Sequence, residues 1–212
     1  MIFWDKQSRS PPAIIVLLTL FSEKGFANVF VNDIAERVGI KAPSLYKHYK
    51  NKQAIFDAII DEMNHRFDEQ AQALSINGTD PNADAEVFGN MDEDRLVKLG
   101  TDLFKYFLYD SYTKRFRKML TLEQFQNKEL AKVYSQQYID MPLTYQGMLF
   151  GLLVAQGLLA TVNVPVMTLQ FYAPIYMLLT VCDREPDREQ EALNILEEHI
   201  RQFDKLYGRT LR

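Results

Sequence analysis

The chain has 212 residues, 47% hydrophobic and 25% charged, which is the usage of an ordinary folded protein and excludes extended disorder and fibrous repeats. Its single cysteine, Cys182, excludes an intramolecular disulfide and any zinc or iron–sulfur site built from several cysteines, and it fits a reducing cytoplasm. The formal net charge of −4 would disfavour nucleic acid if it were evenly spread, but residues 1–66 carry nine Lys and Arg against seven Asp and Glu, while the remainder carries fifteen against twenty-one.

The opening MIFWDKQSRSPP has no charged segment followed by an apolar run, so no secretory leader is expected. Sparse glycine and proline, with apolar residues recurring at three- and four-residue spacings, predict an all-α chain. A first helix is expected from Pro12 to Lys24, closed by Gly25, because proline suits a first turn and glycine a C-terminal cap. Short helices follow over 32–38, ended by Gly39, and from 41–43 to Tyr49; a longer one starts after Asn51 and ends near Leu74. Residues 75–94, rich in Gly, Asn, Asp and Pro, read as a loop. Further helices are predicted over about 93–109, 112–124, 127–139, 142–160, 165–182 and 187–207. The apolar tract 143–182 is interrupted by Gln146, Gln156, Asn163, Pro165, Gln170 and Pro174, so it reads as core helices and no membrane partner is expected.

The segment DIAERVGIKAPSLYKHY (33–49) reads as two short helices joined by a tight turn. Ala35 is small where the second helix must approach, Gly39 can adopt the left-handed conformation of the turn, and Ile34, Val38, Ile40 and Leu45 can bury the inner faces. The second helix opens with Pro43 and leaves Ser44, Tyr46, Lys47 and His48 facing outward, all able to bond phosphates or base edges in a major groove. Arg37, Lys41, Lys47, Lys50 and Lys52 fall within 37–52 with no acidic residue among them.

FSEKGF (21–26), NDIAERVGI (32–40) and APSLYKHYKNKQAIFDAII (42–60), in this order and spacing, resemble the N-terminal domain of the TetR family of bacterial transcriptional regulators. The resemblance covers residues 12–60. It implies a homodimer with a three-helix helix-turn-helix domain over 1–60, its last helix continuing to about 75, that binds a palindromic operator in double-stranded DNA. Residues 76–212 would then form an effector-binding and dimerisation domain. Carried over by position, the resemblance makes Ser44, Lys47 and Ala42 the groove-facing positions, Tyr46 and His48 phosphate contacts, and Lys52 a phosphate contact at the next helix's N-terminus, where a cation and free N–H groups attract anions; Lys41 and Pro43 complete the expected DNA-binding set. Two departures stand out. Val29 and Phe30 replace the usual hydroxyl residues before the second helix, so Asn32 is expected to supply its cap. Lys41 replaces the usual Ser or Thr that opens the recognition helix.

Leu193, Leu196, Ile200, Phe203 and Tyr207 recur at alternating spacings of three and four, a packed helix seam, and are expected at a dimer interface; the resemblance places the last two helices there. Gly147, Gly151 and Ala155 leave a groove for a close helix crossing. Aromatic and methionine residues crowd 104–150, and a pocket among them would suit an apolar or aromatic effector; Phe107, Tyr138, Tyr145 and Tyr176 are its expected contacts. Asp92, Glu93 and Asp94 read as a solvated helix start, and Cys182 as inert. His48, His65 and His199 form no HExxH arrangement, and no nucleophile elbow, Walker loop or dinucleotide fingerprint is present. No catalytic residue, metal or cofactor is therefore expected. A DNA-binding activator without ligand control, and a helical carrier or enzyme with a vestigial helix-turn-helix, remain open on the residues alone.

Overall fold

A computed structural model describes residues 12–208, so the expected absence of a leader lies outside the described residues. The described chain is helical, with eleven α-helices: α1 (Pro12–Lys24), α2 (Val31–Val38), α3 (Ala42–Tyr46), α4 (Lys52–Ala73), α5 (Pro81–Gly89), α6 (Glu93–Tyr109), α7 (Ser111–Glu123), α8 (Lys128–Ser135), α9 (Met141–Ala155), α10 (Val164–Arg184) and α11 (Glu189–Tyr207). A π-helical turn, Gln136–Asp140, joins α8 to α9.

Two compact units divide the described chain, one formed by residues up to 67 with 111–134 and the other by 68–110 with the residues from 135 on. The division by packing is therefore not the division along the chain, since α7 and α8 group with the helix-turn-helix. In the first unit α1 packs along α7, and α2 packs on α3. Phe21, Phe26, Phe56 and Phe116 stack in series through this core, with centroids 5.1, 5.4 and 6.4 Å apart. Tyr112 Oη donates to the Ile59 carbonyl at 2.9 Å, tying α7 to α4.

In the second unit α10 and α11 pack on each other and on α6. Their shared core holds Val97, Phe104, Leu108, Leu178, Leu179, Cys182, Leu193, Leu196 and Ile200. A second cluster gathers Ala85, Leu149, Phe150, Leu153, Met167 and Phe203, so α5, α9, α10 and α11 meet there. Arg201 Nη1 reaches back to Glu93 Oε1 at 2.5 Å and Asp94 Oδ1 at 3.0 Å, while Asp92 caps α6 by accepting the Arg95 N–H. The acidic group is thus a helix start paired with α11.

Several expectations need correction. The 75–94 loop contains α5, because Asp80 and Pro81 are a cap and a first-turn residue: Asp80 Oδ1 accepts the Asn82 N–H at 2.9 Å. The glycine stripe makes no close crossing at Gly151, which faces open space, and a Cβ on Gly147 would lie 3.7 Å from Thr168 Oγ1 in ordinary contact. The seam on α11 serves the chain's own core: Leu193, Leu196, Ile200 and Phe203 are buried within it. Tyr207 donates to Gln170 Oε1 at 2.5 Å. Four of the five are thus buried in the chain's own core, and Tyr207 is half-buried.

The apolar tract is not wholly core. Helix α10 is long and apolar enough, by length and composition, to cross a membrane. It leaves Val166, Leu169 and Met177 outward, and α11 leaves Ile195 and Leu206 outward; Leu169 is 54% and Leu206 64% exposed. Val166 to Met177 and Ile195 to Leu206 are each eleven residues, about three turns, so each pair shares one side of its helix.

Candidate nucleic-acid interface

The turn between α2 and α3 is built by Gly39 at φ +74°, with its N–H bonded to the Glu36 carbonyl and the Ile40 N–H to the Ala35 carbonyl. This is the pattern of a helix closed by a left-handed residue. A Cβ there would touch nothing, so the requirement for glycine is conformational alone. Gly39→Ala is expected to cost about 1 kcal/mol by thermal unfolding while leaving the shape of the turn unchanged.

Ile34, Ala35, Val38 and Leu45 are buried, as their spacing predicts, and Leu45 is only 1% exposed. With Leu45 fixed inward, α3 turns its opposite side outward: Lys41, Pro43, Tyr46, Lys47 and His48 are exposed, and Ala42 and Ser44 are half-buried beside them. Lys41 takes the cap position of α3 in extended backbone and gives no side-chain cap. The exposed Lys50 extends the basic edge, and Asn51 Oδ1 caps α4 by accepting the Ala54 N–H at 2.9 Å. Tyr49 is half-buried, and burial raises its hydroxyl pKa.

Two expectations fail on geometry. Asn32 does not cap α2; the Phe30 N–H is instead satisfied by Asp33 Oδ2 at 2.7 Å, reached from three residues ahead. Lys52 does occupy the first position of α4, but its ammonium turns inward to donate to the Phe26 carbonyl and lies 4.2 Å over the Phe26 ring. Burial lowers the Lys52 pKa, with Glu123 acting in the opposite direction. Lys52 is therefore engaged within the domain and does not extend toward a phosphate.

The residues expected to line an effector pocket are only partly brought together. Tyr138 sits buried in the π-helical turn, and its carbonyl accepts the Tyr172 hydroxyl at 2.7 Å; the Tyr176 ring lies 6.3 Å from that of Tyr172. Tyr172, which the sequence reading passed over, thus joins the two. Phe107 packs against the α6–α10–α11 core instead. Tyr145 Oη donates to Asp84 Oδ2 at 2.5 Å, and burial together with that carboxylate raises its pKa well above the ordinary tyrosine range. Among the described residues no group of three or more His, Cys, Asp or Glu could hold a metal ion.

A short helix with Lys41 and Lys47 at its two ends, a left-handed turn before it and, among the described residues, a helical second unit make a helix-turn-helix followed by a C-terminal helical unit. Residues 16–59 match the sequence model described as bacterial regulatory proteins, tetR family. The chain carries the TetR-family helix-turn-helix domain, and as a whole it has the fold of TetR-family regulators. Over 39 residues it is 51% identical to the biofilm operon icaADBC negative transcriptional regulator IcaR of Staphylococcus epidermidis, a match spanning 18% of this chain and about a fifth, 21%, of that regulator. A TetR-family regulator from Pseudomonas syringae pv. tomato superposes with a TM-score of 0.65, covering 96% of this chain and 100% of the other at 16% identity. SmeT, the repressor of the Stenotrophomonas maltophilia multidrug efflux pump SmeDEF, superposes in its triclosan complex with a TM-score of 0.67, covering 97% of this chain and 94% of its own at 15% identity.

Proposed function

We propose that this protein is a cytoplasmic, ligand-responsive transcriptional repressor that binds a palindromic operator as a homodimer and is released by a small apolar or aromatic effector. The observation that carries the reading is the outward set on α3, with Lys41, Pro43, Tyr46, Lys47 and His48 exposed around a buried Leu45. Lys47 and Lys41 are the cations placed to enter the major groove, with Ser44 and Ala42 between them at its floor. The similarity to IcaR, a negative regulator, supports repression, and SmeT with triclosan supports an apolar aromatic effector. Residues 1–75 carry the DNA-binding role and 76–212 the effector and dimer roles, with α7 and α8 supporting the former.

The dimer surface in this reading is the outward side of α10 and α11, with Val166, Leu169 and Met177 on one helix and Ile195 and Leu206 on the other. Tyr138, Tyr172 and Tyr176 are the effector contacts, since their rings and hydroxyls offer an apolar wall with polar points. The effector acts by linkage: it shifts DNA affinity only as far as it prefers a dimer whose recognition helices are wrongly spaced.

Lys47→Ala is expected to weaken binding to the preferred duplex by about 1–3 kcal/mol and to relax base preference at one position of each half-site. Fluorescence anisotropy with matched and single-base-altered duplexes at fixed salt reads this directly. Unchanged affinity and preference would remove α3 from the groove.

A further inference from the structure

The link between α1 and α2 is held from both sides by distant residues. The Phe26 N–H donates to Glu123 Oε1 on α7 at 2.8 Å, and its carbonyl accepts from the Lys52 ammonium at the start of α4. Gly25, at φ +81°, brings the backbone so close that a Cβ would lie 2.7 Å from Glu123 Oε1. The Phe26 ring packs between Phe21 and Phe56, and Lys52 stands over it. Glu123 is buried.

A carboxylate buried to bond one backbone N–H, with the Lys52 ammonium as its opposite charge, carries a desolvation cost that local capping would avoid, so the arrangement contributes to geometry more than to stability. The peptide it holds leads through fully buried Val29 into α2, and α2 sets α3 through the Gly39 turn. The chain also enters α7 directly from α6 of the second unit at Asp110 and Ser111.

We infer that Glu123 is a positioning residue for DNA recognition: by clamping the Phe26 peptide against Lys52 it fixes the angle at which α2 and α3 are presented, which makes α7 a working part of the DNA-binding unit. This rests on the DNA-binding reading above. Glu123 touches no DNA in this account. Its loss therefore lowers affinity without removing a phosphate contact, and the salt dependence stays as it was.

The test compares the full-length wild type with Glu123→Met, which keeps bulk but cannot accept, Glu123→Gln, whose amide oxygen can, and Gly25→Ala, which both strains the left-handed backbone at Gly25 and crowds the carboxylate. The probe is the duplex enriched by the wild type from a random library. Amide hydrogen exchange at Phe26 and thermal unfolding are measured alongside. Glu123→Met and Gly25→Ala are expected to speed exchange at Phe26 and to weaken duplex binding about tenfold, with the slope against salt unchanged. Glu123→Gln restores both to near wild type. The inference is overturned by wild-type affinity in Glu123→Met, by equal losses in Met and Gln variants, by a salt slope reduced by about one, or by global unfolding of Glu123→Met, which would make the residue one of general stability. Should the wild type enrich no duplex, the DNA-binding reading itself fails, and the exchange rates alone decide whether the clamp exists.

Discussion

Aspartate at both Leu169 and Met177 is expected to convert the dimer to a monomer and to reduce operator affinity by more than about a hundredfold. The two side chains lie outward on α10, each more than half exposed in the single chain, with no need for them in its own core. Burying two carboxylates in an apolar dimer face without partners costs several kcal/mol, comparable to the whole interface energy of a modest dimer. An operator with two half-sites about one helical turn apart is held by both subunits at once, and losing one forfeits the gain in effective concentration. Sedimentation velocity and anisotropy on the same samples check both halves. A dimer that persists in the double variant would move the interface elsewhere; a monomer that keeps full affinity would separate dimerisation from DNA binding.

Asp84→Ala is expected to lower stability by about 3 kcal/mol or more, an effect centred on the second unit. Asp84 is 1% exposed and accepts three bonds: from the Asn77 and Gly78 N–H groups, each at 2.7 Å, and from Tyr145 Oη at 2.5 Å. Removing it orphans two backbone donors and a hydroxyl, each costing about 1–3 kcal/mol if left unpaired. Thermal unfolding should fall by several degrees, and Tyr145→Phe, which spares the backbone bonds, should fall less. The pair also sets an alkaline limit. Tyr145 holds its proton more tightly folded than unfolded, so its contribution is fully present below the ordinary tyrosine pKa and is lost as pH rises above it. Stability of the wild type should therefore decline more steeply above about pH 10 than that of Tyr145→Phe. Parallel declines would show that the hydroxyl does not titrate differently in the two states.

What the sequence made legible was local. Gly39, Leu45 and the exposed Tyr46, Lys47 and His48 are fixed by spacings within one short segment, whereas Ser44, expected outward, is half-buried. Composition misled at 75–94, where Asn, Asp, Gly and Pro read as loop although Asp80 and Pro81 start a helix. Periodicity left α11 open, because a seam of Leu193, Leu196, Ile200 and Phe203 fits a helix packed in its own core as well as one packed on a partner. The partners of Lys52, Glu123 and Tyr145 could not be read, since they lie 26, 97 and 61 residues away. A histidine shows the same limit: His199 Nε2 lies 2.8 Å from the Phe171 carbonyl, 28 residues away.

The central claim is that α3 reads DNA as half of a two-fold site. Selection of the purified full-length protein against a random duplex library at near-physiological salt tests it most directly, because phosphate attraction alone is weak there. Enrichment of an inverted repeat is expected, lost in the Leu169 and Met177 double variant and altered at one position per half-site in Lys47→Ala. A folded, dimeric protein that enriches no motif would contradict it.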